Sequence, residues 1–270
     1  MDTLFTAFVL GIVEGLAEFL PISSTGHLIL ASELFGYDAA QWAQFNIVIQ
    51  LGAILAVLVV YRELFWRMGM GLLRLNHEAL MFTRNIVLGF LPAAVIGLNI
   101  KDIINAMLES PMTVAIALLV GGIAMLFLER RIRPSEDLGV AALSWRQAIG
   151  VGLAQCLAMV PGTSRSGATI LGALAMGIGR KTAAEFSFFL AVPTMLGAAT
   201  VKIVWEPEKL LAGGGLIGWT EIAIGLVTAF VVALGVIKFF VAYVSKRGFA
   251  PFAWYRIVIG IAAIVWLSLR

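Results

Sequence analysis

Apolar residues run almost continuously along this chain, in stretches long enough for a bilayer and interrupted at a few informative places. A membrane-crossing helix needs about 17–25 consecutive apolar residues. Stretches that meet this lie near 43–61, 85–100, 112–128, 184–204, 219–243 and 251–269, which predicts six spans. Two further stretches, about 3–36 and 146–177, are apolar but cut in the middle. Pro21-Ile22-Ser23-Ser24-Thr25-Gly26-His27 breaks the first, and Pro161-Gly162-Thr163-Ser164-Arg165-Ser166-Gly167 breaks the second. Non-helical backbone at membrane depth is tolerated only where protein buries it or where it lines a wet cavity. Each broken stretch therefore reads as a helix, a turn and a second helix, that is, a re-entrant hairpin.

Laid over itself at an offset of 141 residues, the chain repeats. Gly11, Leu16 and Ala17 fall on Gly152, Leu157 and Ala158; Ser23 and Gly26 fall on Ser164 and Gly167; Ile29-Leu30 and Gly36 fall on Ile170-Leu171 and Gly177. Each half, about 1–135 and about 140–270, is then one hairpin followed by three spans. Three is odd, so the second half is expected upside down relative to the first, as in the inverted repeats of many transporters. The fold class expected is an all-α polytopic membrane protein with an inverted-topology repeat, forming a single membrane domain over 1–270.

Composition agrees with this pattern and excludes a soluble domain. Of 270 residues, 61% are hydrophobic and 13% charged, against about 25% charged in ordinary soluble proteins. Mean hydropathy is +0.98. The net charge of +3 comes from 19 Lys and Arg that are dispersed, so no basic patch favours nucleic acid. With both termini outside, the links near 62–84, 129–146, 180–181 and 238–247 hold thirteen Lys/Arg on the cytoplasmic side. The outer links hold only Lys101, Lys202, Lys209 and Arg270, which is the asymmetry the positive-inside rule requires. The two hairpins then enter from opposite faces, with their tips meeting near the midplane. The start, Met1-Asp2-Thr3-Leu4-Phe5, lacks a basic n-region, so the first apolar segment is expected to be kept. A lone cysteine, Cys156, allows no intramolecular disulfide and no Cys-built metal site.

The chemistry-bearing residues collect at the two breaks. Glu14 and Glu18, four apart, share one helical face. A carboxylate at membrane depth costs at least about 2.5–3.5 kcal/mol, so it normally faces a protein interior or wet cavity with a partner. A shallow interfacial turn is the plainer account of this pair. A general acid/base pair or a site for a hard divalent ion, Mg²⁺ or Ca²⁺, is the sharper one. His27 stands beside the hydroxyls of Ser23, Ser24 and Thr25 and suits proton transfer near neutral pH. In the second break, Arg165 is flanked by Ser164 and Ser166, with Gly167 and Thr169 nearby. Its planar fork matches phosphate oxygens, and the helix that opens there points free N–H groups at an anion. A structural ion pair from Arg165 to Glu18 is the alternative, and it does not exclude phosphate binding. Glu185, Gln50 and Arg256 read as interfacial or packing residues, and Gly213-Gly-Gly215 as a flexible outer link beside Glu206-Pro207-Glu208.

Together, Glu14-Gly-Leu-Ala-Glu18-Phe-Leu-Pro21-Ile-Ser-Ser24-Thr-Gly-His27 and Pro161-Gly-Thr-Ser164-Arg165-Ser-Gly-Ala-Thr169 resemble the paired signature of the undecaprenyl-diphosphate phosphatase, or bacitracin-resistance, family. Glu185-Phe-Ser-Phe-Phe-Leu-Ala-Val-Pro193 and Pro251-Phe-Ala-Trp-Tyr-Arg256 extend the resemblance over nearly the whole chain. It implies an inner-membrane enzyme that removes the terminal phosphate of a C55 polyprenyl diphosphate. The monophosphate carrier for peptidoglycan synthesis is thereby regenerated and bacitracin resisted. A divalent cation (Mg or Ca) and a catalytic cavity open to the extracytoplasmic side are implied as well. Glu14 and Glu18 match the family's acidic motif, Ser24 and His27 its hydroxyl/His tip, and Arg165 its phosphate-binding arginine. The expected mechanism has Ser24 attacking phosphorus, His27 moving the proton, and Ser23, Thr25, Ser164, Ser166, Gly167 and Thr169 lining the phosphate site. His27 or water as nucleophile stays open. A lipid flippase or transporter and an anion channel are the rivals from another class, and a homodimer is neither indicated nor excluded.

Overall fold

The structure is a computed structural model that describes residues 2–37, 39–100, 103–104, 107, 110–131, 136–205 and 217–269. Within these residues the regular structure is helical throughout. The helices are α1 (Thr3–Ala17), α2 (Ser24–Leu34), α3 (Ala39–Val60), α4 (Arg62–Leu73), α5 (His77–Asn99), α6 (Pro111–Glu129), α7 (Trp145–Gln155), α8 (Arg165–Ala175), α9 (Arg180–Trp205), α10 (Trp219–Val244) and α11 (Ala250–Ser268). Short 3₁₀ turns occupy Val140–Ala142 and Cys156–Met159. Five helices, α5, α6, α9, α10 and α11, are long and apolar enough to cross a bilayer, and the count is six if the bent pair α3–α4 is one span. The chain is a multi-pass membrane protein. Lys101, Lys209, Asp38, Arg270, Glu206-Pro207-Glu208 and Gly213-Gly-Gly215 lie outside the described residues.

Each broken stretch folds as a helix, a break and a second helix. α1 stops at Ala17 and α2 starts at Ser24; α7 stops at Gln155 and α8 starts at Arg165. The stops have local causes: Pro21 and Pro161 cannot donate to a helical ladder, and the serine before each second helix folds back on it. Ser23 takes a backbone N–H bond from Gly26, and Ser164 takes one from Gly167. Both serines lie in the left-handed region, with φ of 73° and 77°, which costs a residue with a Cβ of order 1–3 kcal/mol and is concentrated at functional sites.

Glycines set how closely the helices pack. α1 lies on α10, and α7 lies on α5. A Cβ at Gly11 would fall 2.6 Å from the carbonyl oxygen of Gly225, and one at Gly152 would fall 2.5 Å from that of Gly89. Small residues let backbones touch where lipid supplies no hydrophobic drive between helices. α6 and α11 cross in the same way, with Gly122 against the carbonyl of Ala253 and Gly260 against Leu119. The outward faces carry apolar ridges: Ile116, Val120, Ile123 and Phe127 on α6, Val227 and Val231 on α10, and Val258, Ile261 and Val265 on α11 are all exposed. Such ridges suit acyl chains rather than water.

Most of the stretch expected as the link near 62–84 is helical. Residues 62–73 form α4, which turns 75° away from α3. Arg62 and Glu63 end the apolar run, while Leu64, Phe65, Met68 and Leu72 return to the core, giving one buried stripe on a helix whose overall hydrophobicity is low. α5 begins at His77, where Asn76 accepts from the N–H groups of Glu78 and Ala79. The stretch from Lys238 to Val244, where the expected span 219–243 and the expected link 238–247 overlap, is the last part of α10.

Candidate functional site

The two tips meet, and the polar side chains of each complete those of the other. Glu18, 3% exposed, is the joint. Its Oε2 accepts a short hydrogen bond from the Ser24 hydroxyl, and its Oε1 pairs with Arg165 Nη2 at 2.7 Å. Arg165 in turn donates through Nη1 to the carbonyl and hydroxyl oxygens of Ser187 on α9, at 2.7 and 3.2 Å. Thr169 donates to the same Ser187 hydroxyl at 2.7 Å. The Ser166 hydroxyl reaches across to the carbonyl of Leu20 at 2.8 Å and lies 3.1 Å from that of Ser164. Arg165 Nε is buried and donates to nothing among the described residues, so one arm of the guanidinium is unspent.

His27 stands one turn into α2. Its Nδ1 is 2.7 Å from the Ser23 carbonyl and its Nε2 is 2.9 Å from the Tyr255 hydroxyl of α11. The Ser24 hydroxyl is thus directed at Glu18 and not at His27. Thr25 is half-buried in the same first helical turn.

Glu14 is fully buried, and neither of its carboxylate oxygens has a hydrogen-bond donor among the described residues. It lies against the carboxyl of Glu18. A buried carboxylate left without a donor is costly, and of the two carboxyls it is Glu14 that is left so, since Glu18 is already met by Arg165 and Ser24. No group of three or more His, Cys, Asp or Glu side chains gathers among the described residues. Two carboxylates are fewer than such a group, and a hard divalent ion held by one or two carboxylates takes its remaining ligands from substrate phosphates and water.

Arg256 fastens the assembly. Its guanidinium donates to the carbonyls of Pro21, Gly162 and Thr163 in the two tips, and to those of Ala117 and Leu118 on α6. The packing role expected of it is what its contacts describe. Two site residues escaped the sequence reading, Ser187 and Tyr255. Each lies in a stretch that carries the family resemblance, yet neither has a charge or spacing that singles it out.

The fold and site define a class: a helical multi-pass membrane protein with a buried carboxylate, hydroxyl and guanidinium site where two broken helices meet. Residues 7–262 match the family model described as bacitracin resistance protein BacA, and the chain belongs to that family. It is 62% identical to an undecaprenyl-diphosphatase of Novosphingobium aromaticivorans over 270 residues, covering 100% of both chains. It is 58% identical to one from Sphingopyxis alaskensis and 53% identical to one from Rhizorhabdus wittichii, each over 268 residues and 99% of both chains.

Proposed function

We propose that this chain hydrolyses undecaprenyl diphosphate to undecaprenyl phosphate and inorganic phosphate, recycling the lipid carrier for cell-wall synthesis and conferring resistance to bacitracin. The observation that carries the reading is Glu18 held between Ser24 of one tip and Arg165 of the other. A nucleophile, its base and a phosphate-binding fork thereby converge, in a family whose relatives bear the phosphatase name.

Phosphoryl transfer asks mainly for positioning and charge neutralisation. The terminal phosphate would enter beside Arg165, drawing on its free Nε and on the N–H groups that open α8. As the guanidinium turns to phosphate it releases Glu18 Oε1 toward the cation site, while Oε2, already bonded to the Ser24 hydroxyl, accepts the Ser24 proton. Ser24 Oγ attacks the terminal phosphorus, the bond from that phosphorus to the bridging oxygen breaks, and the lipid monophosphate leaves. Water then cleaves the phosphoserine and frees phosphate, and His27, one turn along α2, would move the proton. Glu14 and Glu18 would hold the divalent cation, whose contribution is to neutralise the diphosphate. Ser23, Ser164, Ser166, Gly167 and Thr169 shape the tips around the headgroup.

The reading includes the topology. The halves would be inverted repeats, supported by the left-handed Ser23 and Ser164 at equivalent positions and by the reciprocal packing of α1 on α10 and α7 on α5. The tips would be re-entrant, and the catalytic cavity would face the extracytoplasmic side of the inner membrane.

The test is phosphate release from C55 diphosphate by purified protein in detergent, with and without EDTA. Release by the wild type that stops in EDTA and returns with Mg²⁺ or Ca²⁺ supports the phosphatase. No release with either metal supplied overturns it in favour of a lipid transporter, because a flippase or channel needs no net hydrolysis.

A further inference from the structure

A second cationic place lies away from the tips, where α3, α9 and α10 come together. A groove of about 390 Å³ is lined there by Val60, Tyr61, Lys181, Ile237, Lys238 and Val241, with Ser245 at its rim. Lys181 and Lys238 have no ion pair within 4.0 Å and no hydrogen bond among the described residues. Lys238 sits six residues before the end of α10, about 9 Å down the helix axis at 1.5 Å per residue. Its neighbours Ile237, Phe239, Phe240 and Val241 are all apolar. A lysine at that depth on an apolar helix reaches toward the headgroup level, and an anion at its ammonium relieves the cost of its burial in lipid. The nearby carboxyl of Glu185 meets both the Tyr61 hydroxyl and the charge of Lys181, so Lys181 is partly balanced from within the chain and Lys238 is the lysine of the groove with no carboxylate facing it among the described residues. Lys246 and Arg247 follow Ser245 directly, so the mouth of the groove is basic.

We infer that this groove binds an anionic glycerophospholipid, its phosphate between Lys181 and Lys238 and one acyl chain along Val60, Ile237 and Val241. Charge complementarity chooses the headgroup, and the apolar walls choose a lipid over a free anion. Two lysines near a membrane surface contribute about 1 kcal/mol each toward anionic lipid, together roughly 30-fold in affinity.

The experiment is native mass spectrometry of the full chain in detergent, with phosphatidylglycerol and phosphatidylcholine added in equal amounts. The expected result is one phosphatidylglycerol retained per chain in preference to phosphatidylcholine. That preference should drop at least about tenfold in the double variant Lys181→Gln/Lys238→Gln, return in Lys181→Arg/Lys238→Arg, and weaken with salt in the wild type. Phosphate release from C55 diphosphate should be unchanged in both variants, which shows that they are folded. Equal retention of the two lipids by the wild type overturns the inference without any variant being made. Undiminished preference in the Gln variant, or displacement of the lipid by millimolar inorganic phosphate, overturns it as well.

Discussion

Glu18 and Arg165 are 147 residues apart in the chain, yet their side chains meet at 2.7 Å with 2% and 10% of their surfaces exposed. Each belongs to a different broken helix, so the pair exists only when both tips are in place. Breaking a buried pair by removing one partner typically costs about 3–5 kcal/mol, because a charge is left uncompensated. Arg165→Ala is expected to abolish phosphate release and lower thermal stability, while Arg165→Lys keeps the charge but loses the planar fork whose separate arms serve Ser187 and Glu18, and is expected to fall between Arg165→Ala and the wild type. Unfolding temperature and release rate, measured on both variants, check this.

Ser24→Ala removes the hydroxyl that Glu18 accepts from. If that hydroxyl is the nucleophile, turnover falls by orders of magnitude while unfolding temperature stays close to the wild type. Activity near the wild-type rate would move the attack to His27 or to water.

Tyr255→Phe leaves the ring in place but deletes the only hydrogen bond made by His27 Nε2 among the described residues. One such bond is worth about 0.5–1.5 kcal/mol. The expected outcome is a fall in kcat of up to roughly tenfold, with little change in thermal stability. A wild-type kcat would mean that His27 needs no holding from α11.

Gly11→Leu and Gly152→Leu push side chains into backbone carbonyls that already lie 2.6 and 2.5 Å from an ideal Cβ. Overpacking of this kind costs about 1–3 kcal/mol or more. Both variants should unfold at lower temperature, and the equivalent packing of the two halves predicts similar losses. A large loss in only one would contradict that equivalence.

Spans were legible because little besides a membrane helix calls for an apolar run of that length, and α6, α10 and α11 lie within a residue or so of their expected bounds. The breaks were legible because Pro21 and Pro161 stand beside clusters of polar residues in otherwise apolar sequence. α4 was not, since Arg62, Glu63 and Arg67 dilute its apolar stripe below what a run-length reading detects. Of the site, Glu14, Glu18, His27 and Arg165 announced themselves by charge at membrane depth. Ser187 and Tyr255 did not, because a serine or tyrosine in a span becomes a site residue only through the partner that packing brings to it. The direction of the Ser24 hydroxyl, toward Glu18 and away from His27, depends on the turn at Ser23 and lay beyond any spacing rule.

The central claim is that one catalytic unit is assembled from both tips, and a double-variant comparison tests it most directly. Initial rates of phosphate release from C55 diphosphate would be measured for wild type, Ser24→Ala, Arg165→Ala and the double variant, with metal supplied. Residues acting as a unit are strongly non-additive, so the account predicts that each single variant collapses and that the double variant is hardly slower than the worse single. Substantial release from Arg165→Ala, or independent multiplicative losses in the double variant, would contradict it.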